Sequence, residues 1–196
     1  FRMSGAYTNA KSALLLAGTW MMDDISMGGG DYTYFDYLIA SVGHPLYITI
    51  TNSTPGLYGI EYNQLTASNC KFTGNLQQVP FSKDNSVLSS ITDSEITSNV
   101  IRPTYLSGYG SISNCTINWR EVTGNWDFDN VSVYSSHIQM QSSDSKRTID
   151  ITNSRFSYCQ EGLSLFRYSN VNIQNVNFTE CFSSDSGGAL YIISSG

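Results

Sequence analysis

The segment Trp126-Asp127-Phe128-Asp129 places two carboxylates two residues apart, each flanked by an aromatic. On an extended strand alternate residues share a face, so the two acids stand about 6.6–7 Å apart, opposite the aromatics. That separation suits a general acid and base working on a glycosidic bond, or two oxygen ligands for Ca²⁺. Asp23-Asp24 is a second acidic pair, but adjacent strand residues face opposite ways. The positions expected to match Asp127 and Asp129 one repeat later are Ser164 and Phe166, which supply no basic partner. The pair therefore reads first as a solvated acidic face, with catalysis by Asp127 and Asp129 as the alternative.

The other reactive side chains are scattered. His44 precedes Pro45 and is expected in a turn; His137 precedes an apolar residue and is expected at the surface. Gly28-Gly29-Gly30 lacks the Lys and Ser/Thr of a phosphate cradle and reads as a flexible turn. The stretch Asp31-Tyr32-Thr33-Tyr34-Phe35-Asp36-Tyr37 could stack on sugars, although its alternation reads first as a strand with one packed face. With two His and no Cys-x-x-Cys motif, the chain is expected to carry neither a metal site nor a cofactor.

Composition narrows the partners. Lys and Arg number only 10 against 16 Asp and Glu, a net charge of −6 that argues against nucleic acid. The longest apolar run, residues 13–22, falls well short of the roughly 20 residues of a membrane span. Ser, Thr and Asn fill 30, 16 and 16 of the 196 positions, while charged residues make up 13%. Such a chain is too rich in Ile, Tyr and Phe to remain disordered.

The elements that must position these residues repeat along the chain. Val171-Asn172-Ile173-Gln174-Asn175-Val176-Asn177-Phe178 alternates apolar and polar, breaks at an Asn and closes on an aromatic. Ile149 to Phe156, Val131 to Ile138, Gly110 to Ile117, Ser89 to Ile96, Leu65 to Phe72 and Ile48 to Pro55 follow the same pattern. Two inward stacks are expected: Ile91, Ile112, Val133, Ile151 and Ile173, and Phe72, Ile96, Ile117, Ile138, Phe156 and Phe178. Between them runs a corner column of Asn52, Asn69, Asp93, Asn114, Ser135, Asn153 and Asn175. Asn tolerates the left-handed backbone that a sharp corner needs. Stacked about 4.8 Å apart, the amides of Asn52, Asn69, Asn114, Asn153 and Asn175 can bond as a ladder. Period-two alternation with one corner residue type predicts an all-β, right-handed parallel β-helix, a single solenoid of about 21 residues per coil.

Phe72-Thr73-Gly74-Asn75 and Ser186-Gly187-Gly188-Ala189-Leu190 resemble the Phe-x-x-Asn and Gly-Gly-Ala-Ile repeats of the polymorphic membrane protein family. Residues 96–99 follow the first motif loosely, and Phe156 to Cys159 and Phe178 to Cys181 carry Cys in place of Asn. The resemblance covers residues 46–196 and implies a surface β-helix. Residues 1–45 are expected to be irregular N-terminal coils or an insertion, with a degenerate corner at residues 20–25. Phe1 and the capless apolar end at Leu190 to Ile193 read as an internal segment of a longer chain, or as copies stacking into a filament.

Cys159 and Cys181 each lie three residues after a closing Phe, within disulfide reach in successive coils. Cys70 and Cys115 are separated by a coil bearing Ser94, about 10 Å and too far to bridge. Sequons occur at Asn52, Asn114, Asn130 and Asn177. Asn130 and Asn177 are the expected glycan acceptors, because Asn52 and Asn114 are expected to sit in an inward corner. The reading is a structural or adhesive β-solenoid outside the cell or on its surface, in a filament or matrix. Its expected partners are copies of itself, other surface proteins or glycans; the alternative is a polysaccharide lyase or glycoside hydrolase.

Overall fold

The computed structural model describes residues 12–25, 37–54, 59–78, 88–97, 105–119, 121–141, 148–160, 162–183 and 187–193, with backbone alone for 12–16, 37–44 and 105. The tyrosine-rich stretch 31–36 and the glycines at 28–30 lie outside them. The described residues form strands and turns only, in a 13-stranded and a six-stranded sheet whose pairings all run parallel.

The smaller sheet is stacked in chain order: Lys71–Phe72, Glu95–Thr97, Thr116–Asn118, Ser132–Tyr134, Arg155–Ser157 and Asn177–Thr179. One limb of the larger sheet holds Gln64–Ser68, Ser89–Thr92, Thr148–Thr152 and Asn170–Gln174 with the ends of three longer strands, Tyr37–Thr51, Tyr105–Ser113 and Glu121–Asp129. A second limb runs through Gly59–Tyr62, Leu76–Gln78, His137–Gln141, Leu163–Phe166 and Leu190–Ile193. Tyr105–Ser113 and Glu121–Asp129 pass through both limbs, with positive-φ glycines at Gly108, Gly110 and Gly124 along them.

Three inward columns build one buried cluster. Ile50, Ala67, Ile91, Ile112, Phe128 and Ile151 form the first, and Phe72, Ile96, Ile117, Val133 and Phe156 the second. The third contains Ile60, Leu76, Leu106, Val122, Ile138 and Leu163. Fully burying one such side chain is worth about 1.5–3 kcal/mol, so the columns supply the main attraction between repeats.

Two expected positions are corrected. Val133 pairs with Ile117 and Phe156, placing it in the second column, and Ile138 pairs with Val122 and Leu163 in the third. Residues 114 to 130 make a short repeat, so the matching inward residue of the first column is Phe128. His44 lies within the Tyr37–Thr51 strand rather than in a turn, at a step where pairing jumps from Leu16↔Ser41 to Gly18↔Leu46. At the N-terminal side Ser12–Asp23 pairs parallel with Tyr37–Thr51, which adds residues 12–25 to the same stack.

Candidate functional site

The polar residues converge on the outer corner between the larger and smaller sheets. Asp24, Asn52, Asn69, Asp93, Asn114, Asn130, Asn153 and Asn175 all take left-handed φ values of 49–53°. Asn and Asp tolerate this region because their short polar side chains bond locally. Asn52 Nδ2 donates to Asp23 Oδ1 at 2.9 Å, and Asn69 Nδ2 to Asn52 Oδ1 at 2.7 Å. Asn114 donates to Asp93 at 3.0 Å and Asn130 to Asn114 at 3.0 Å. Asn153 donates to Asp129 at 2.9 Å and Asn175 to Asn153 at 3.1 Å.

These rungs are exposed, contrary to the expected inward placement of Asn52 and Asn114. The left-handed corner turns their side chains outward while the flanking β-residues continue into the core. Asn130 is itself a rung, whereas Ser135 belongs to a second corner column with Tyr158 and Glu180, at φ of 49°, 55° and 51°. Of the four sequon asparagines, Asn52, Asn114 and Asn130 therefore have their amide nitrogens in the ladder, and Asn177 is exposed on the smaller sheet.

The sequence reading placed Cys70, Ser94 and Cys115 in one column but missed how far that companion position extends. Eight of the eleven corner residues are followed by a small Ser or Cys, namely Ser53, Cys70, Ser94, Cys115, Ser136, Ser154, Cys159 and Cys181, while Ile25, Val131 and Val176 follow the other three. The serine hydroxyls turn back onto the carbonyl two residues earlier, as Ser94 Oγ does onto Thr92 O at 2.6 Å. They also accept the backbone N–H of the preceding repeat, as Ser94 Oγ does from Cys70 at 3.1 Å and Ser154 Oγ from Val131 at 3.1 Å. Buried backbone donors need such partners. Thiols repeat half of the pattern: Cys70 Sγ donates to Ser68 O at 3.2 Å and Cys115 Sγ to Ser113 O at 3.1 Å. The detectable signal was the Ser or Cys that recurs immediately after the corner.

All four thiols are free. Burial raises the pKa of Cys115 and of Cys159 to about 11, so both stay protonated at neutral pH. Cys159 and Cys181 follow the paired residues Ser157 and Thr179 and occupy equivalent places in successive repeats. Cys159 is buried and Cys181 half-buried.

Asp127 and Asp129 face outward as expected, but their neighbours one repeat on are Asp150 and Thr152, not Ser164 and Phe166, which sit on the other limb. Asp129 Oδ1 accepts from Thr152 Oγ1 at 2.7 Å as well as from Asn153, and these two bonds hold its carboxyl below the ordinary value. A general acid needs the opposite shift. Asp127 Oδ1 accepts the Asp150 backbone N–H at 3.1 Å. Asp23 repeats the Asp129 arrangement with Thr51 and Asn52. Beside Asp93 lies a polar groove lined by Asn69, Lys71, Asp93 and Glu95, in which Lys71 Nζ pairs with Glu95 Oε2 at 3.0 Å. Comparison of the chain with protein-family models, curated proteins and solved structures returned no match.

Proposed function

We propose that the chain winds as a right-handed parallel β-helix and serves as a structural or adhesive solenoid outside the cell or on its surface. From Phe72 to Phe178 the second column advances 106 residues in five steps, about 21 per coil. The observation that carries the functional reading is the corner ladder. The carboxylates that could act as catalysts, Asp23 and Asp129 among them, accept hydrogen bonds from the next repeat and so fasten neighbouring repeats together. Polar groups used in this way stiffen a solenoid and leave its outer walls as repetitive surfaces. Copies of the chain, other surface proteins and glycans are the partners such walls suit, and the likeness to polymorphic membrane protein repeats supports the same placement. Among the described residues no helix is long and apolar enough to cross a membrane.

The test is a double variant, Asp127→Asn with Asp129→Asn, assayed on a panel of acidic and neutral polysaccharides. The expected outcome is no cleavage by either protein and undiminished attachment or assembly by the variant. Cleavage by the parent chain that disappears in the variant would establish the β-helix lyase or hydrolase instead.

A further inference from the structure

Four successive repeats of the larger sheet carry hydroxyls at both outward positions beside the inward core residue. The triplets are Thr49-Ile50-Thr51, Thr66-Ala67-Ser68, Ser90-Ile91-Thr92 and Ser111-Ile112-Ser113, paired in register. Ser and Thr fill 46 of 196 positions, so composition alone does not place hydroxyls at every one of these sites. Nor is it a habit of the sheet, because the next two rows carry Asp127, Asp129 and Asp150 at three of their four outward positions, with Thr152 at the fourth. The block is bounded by charge, with Asp23 on one side and Asp127 and Asp129 on the other.

Parallel pairing sets the rows about 4.8 Å apart along the stack, and two outward residues of one strand stand about 6.6–7 Å apart. The result is a rectangular grid of hydroxyls, uncharged throughout, on a backbone held rigid by the ladder beside it. Some hydroxyls already donate within the protein, Thr51 Oγ1 to Asp23 at 2.6 Å and Thr92 Oγ1 to Ala67 O at 3.4 Å. Their lone pairs still accept from water. The triplets offer no aromatic face on which a sugar ring could stack.

We propose that this grid binds the surface of an ice crystal. The charge match is neutral to neutral, and ice presents rows of oxygen atoms at a repeat close to the strand spacing. Ordered waters bridge nearly as well as direct hydrogen bonds, and a grid that is already rigid loses little entropy in holding them. Many weak contacts made at once then anchor the protein to the lattice. This role goes beyond the scaffold reading and can fail without it, because ice growth is measured independently of attachment or assembly.

The experiment follows ice recrystallisation and crystal shape with the purified 196-residue chain. The parent protein is expected to arrest grain growth and facet the crystals. Thr66→Lys, which puts a charge in the middle of the grid, should abolish both effects. Thr116→Lys, on the outward face of the smaller sheet, should leave them intact. Thr66→Val keeps the strand preference and removes one hydroxyl, so it separates a loss of binding from a loss of folding; a partial loss is expected. Ice growth no different from that in albumin, or equal damage from Thr66→Lys and Thr116→Lys, would overturn the proposal. So would adsorption to microcrystalline cellulose that Thr66→Lys abolishes, if ice growth is unaffected, since the grid would then belong to a glycan.

Discussion

Asp93 stands in the ladder between Asn69 and Asn114, and an ionised carboxylate can only accept. It takes the Asn114 amide at 3.0 Å and has no proton to offer Asn69 Oδ1. Asp93→Asn restores a donor at a corner whose φ of 49° suits Asn. The substitution is expected to raise stability by about 0.5–1 kcal/mol, read as a higher urea midpoint with unchanged slope. Cys159 and Cys181 carry a second expectation at this scale. In a glutathione disulfide buffer, the more exposed Cys181 attacks the oxidant as thiolate and releases glutathione. Cys159 then displaces the second glutathione, leaving a bond between successive repeats. Thiol titration of the oxidised protein should fall from four to two, with Cys70 and Cys115 retained. Cys181→Ser, which places a side chain native to that column, should prevent formation of the bond. Four titratable thiols after oxidation would show that the pair does not close.

The long strands that join the two limbs carry glycines where no side chain fits. Gly124 has φ of 102°, and a Cβ there would come 2.0 Å from the Gly108 carbonyl oxygen. Gly110 is equally closed, its Cβ meeting the Ser89 carbonyl oxygen at 1.9 Å. Gly124→Ala therefore forces the backbones of two neighbouring repeats apart and should cost several kcal/mol, on the order of the largest single-site effects. A thermal melt reads it directly. An alanine with unaltered midpoint would show that the limbs can shift relative to each other. The strand alternation, the corner positions and the residues of the first and second core columns were largely legible in the sequence, because period-two burial and left-handed tolerance are local properties. The third column was not. Some of its strands, such as Leu76–Gln78 and Leu163–Phe166, are short and are not followed directly by an Asn.

Among the described residues the first and last strands of the stack expose apolar side chains, with Trp20 43%, Ile192 45% and Ile193 42% exposed. Edge strands with open backbone groups and apolar side chains favour association. Sedimentation velocity is expected to show end-to-end assembly that grows with concentration, and Ile192→Lys should suppress it. A monomer at all concentrations would remove the filament reading. Alternation and corner chemistry depend on each residue and its near neighbours, so parallel repeats with asparagine corners could be read from the chain alone. The register of residues 131–138 could not. Val131-Ser132-Val133-Tyr134-Ser135-Ser136-His137-Ile138 alternates acceptably in more than one column, and Ser135 tolerates a corner as Asp93 does. Only the neighbouring strands decided it, with Ile117 and Phe156 packing on Val133 and leaving the ladder rung to Asn130. The same neighbours tied Asp129 to Thr152 and Asn153, 23 and 24 residues away in sequence, a contact no local pattern announces.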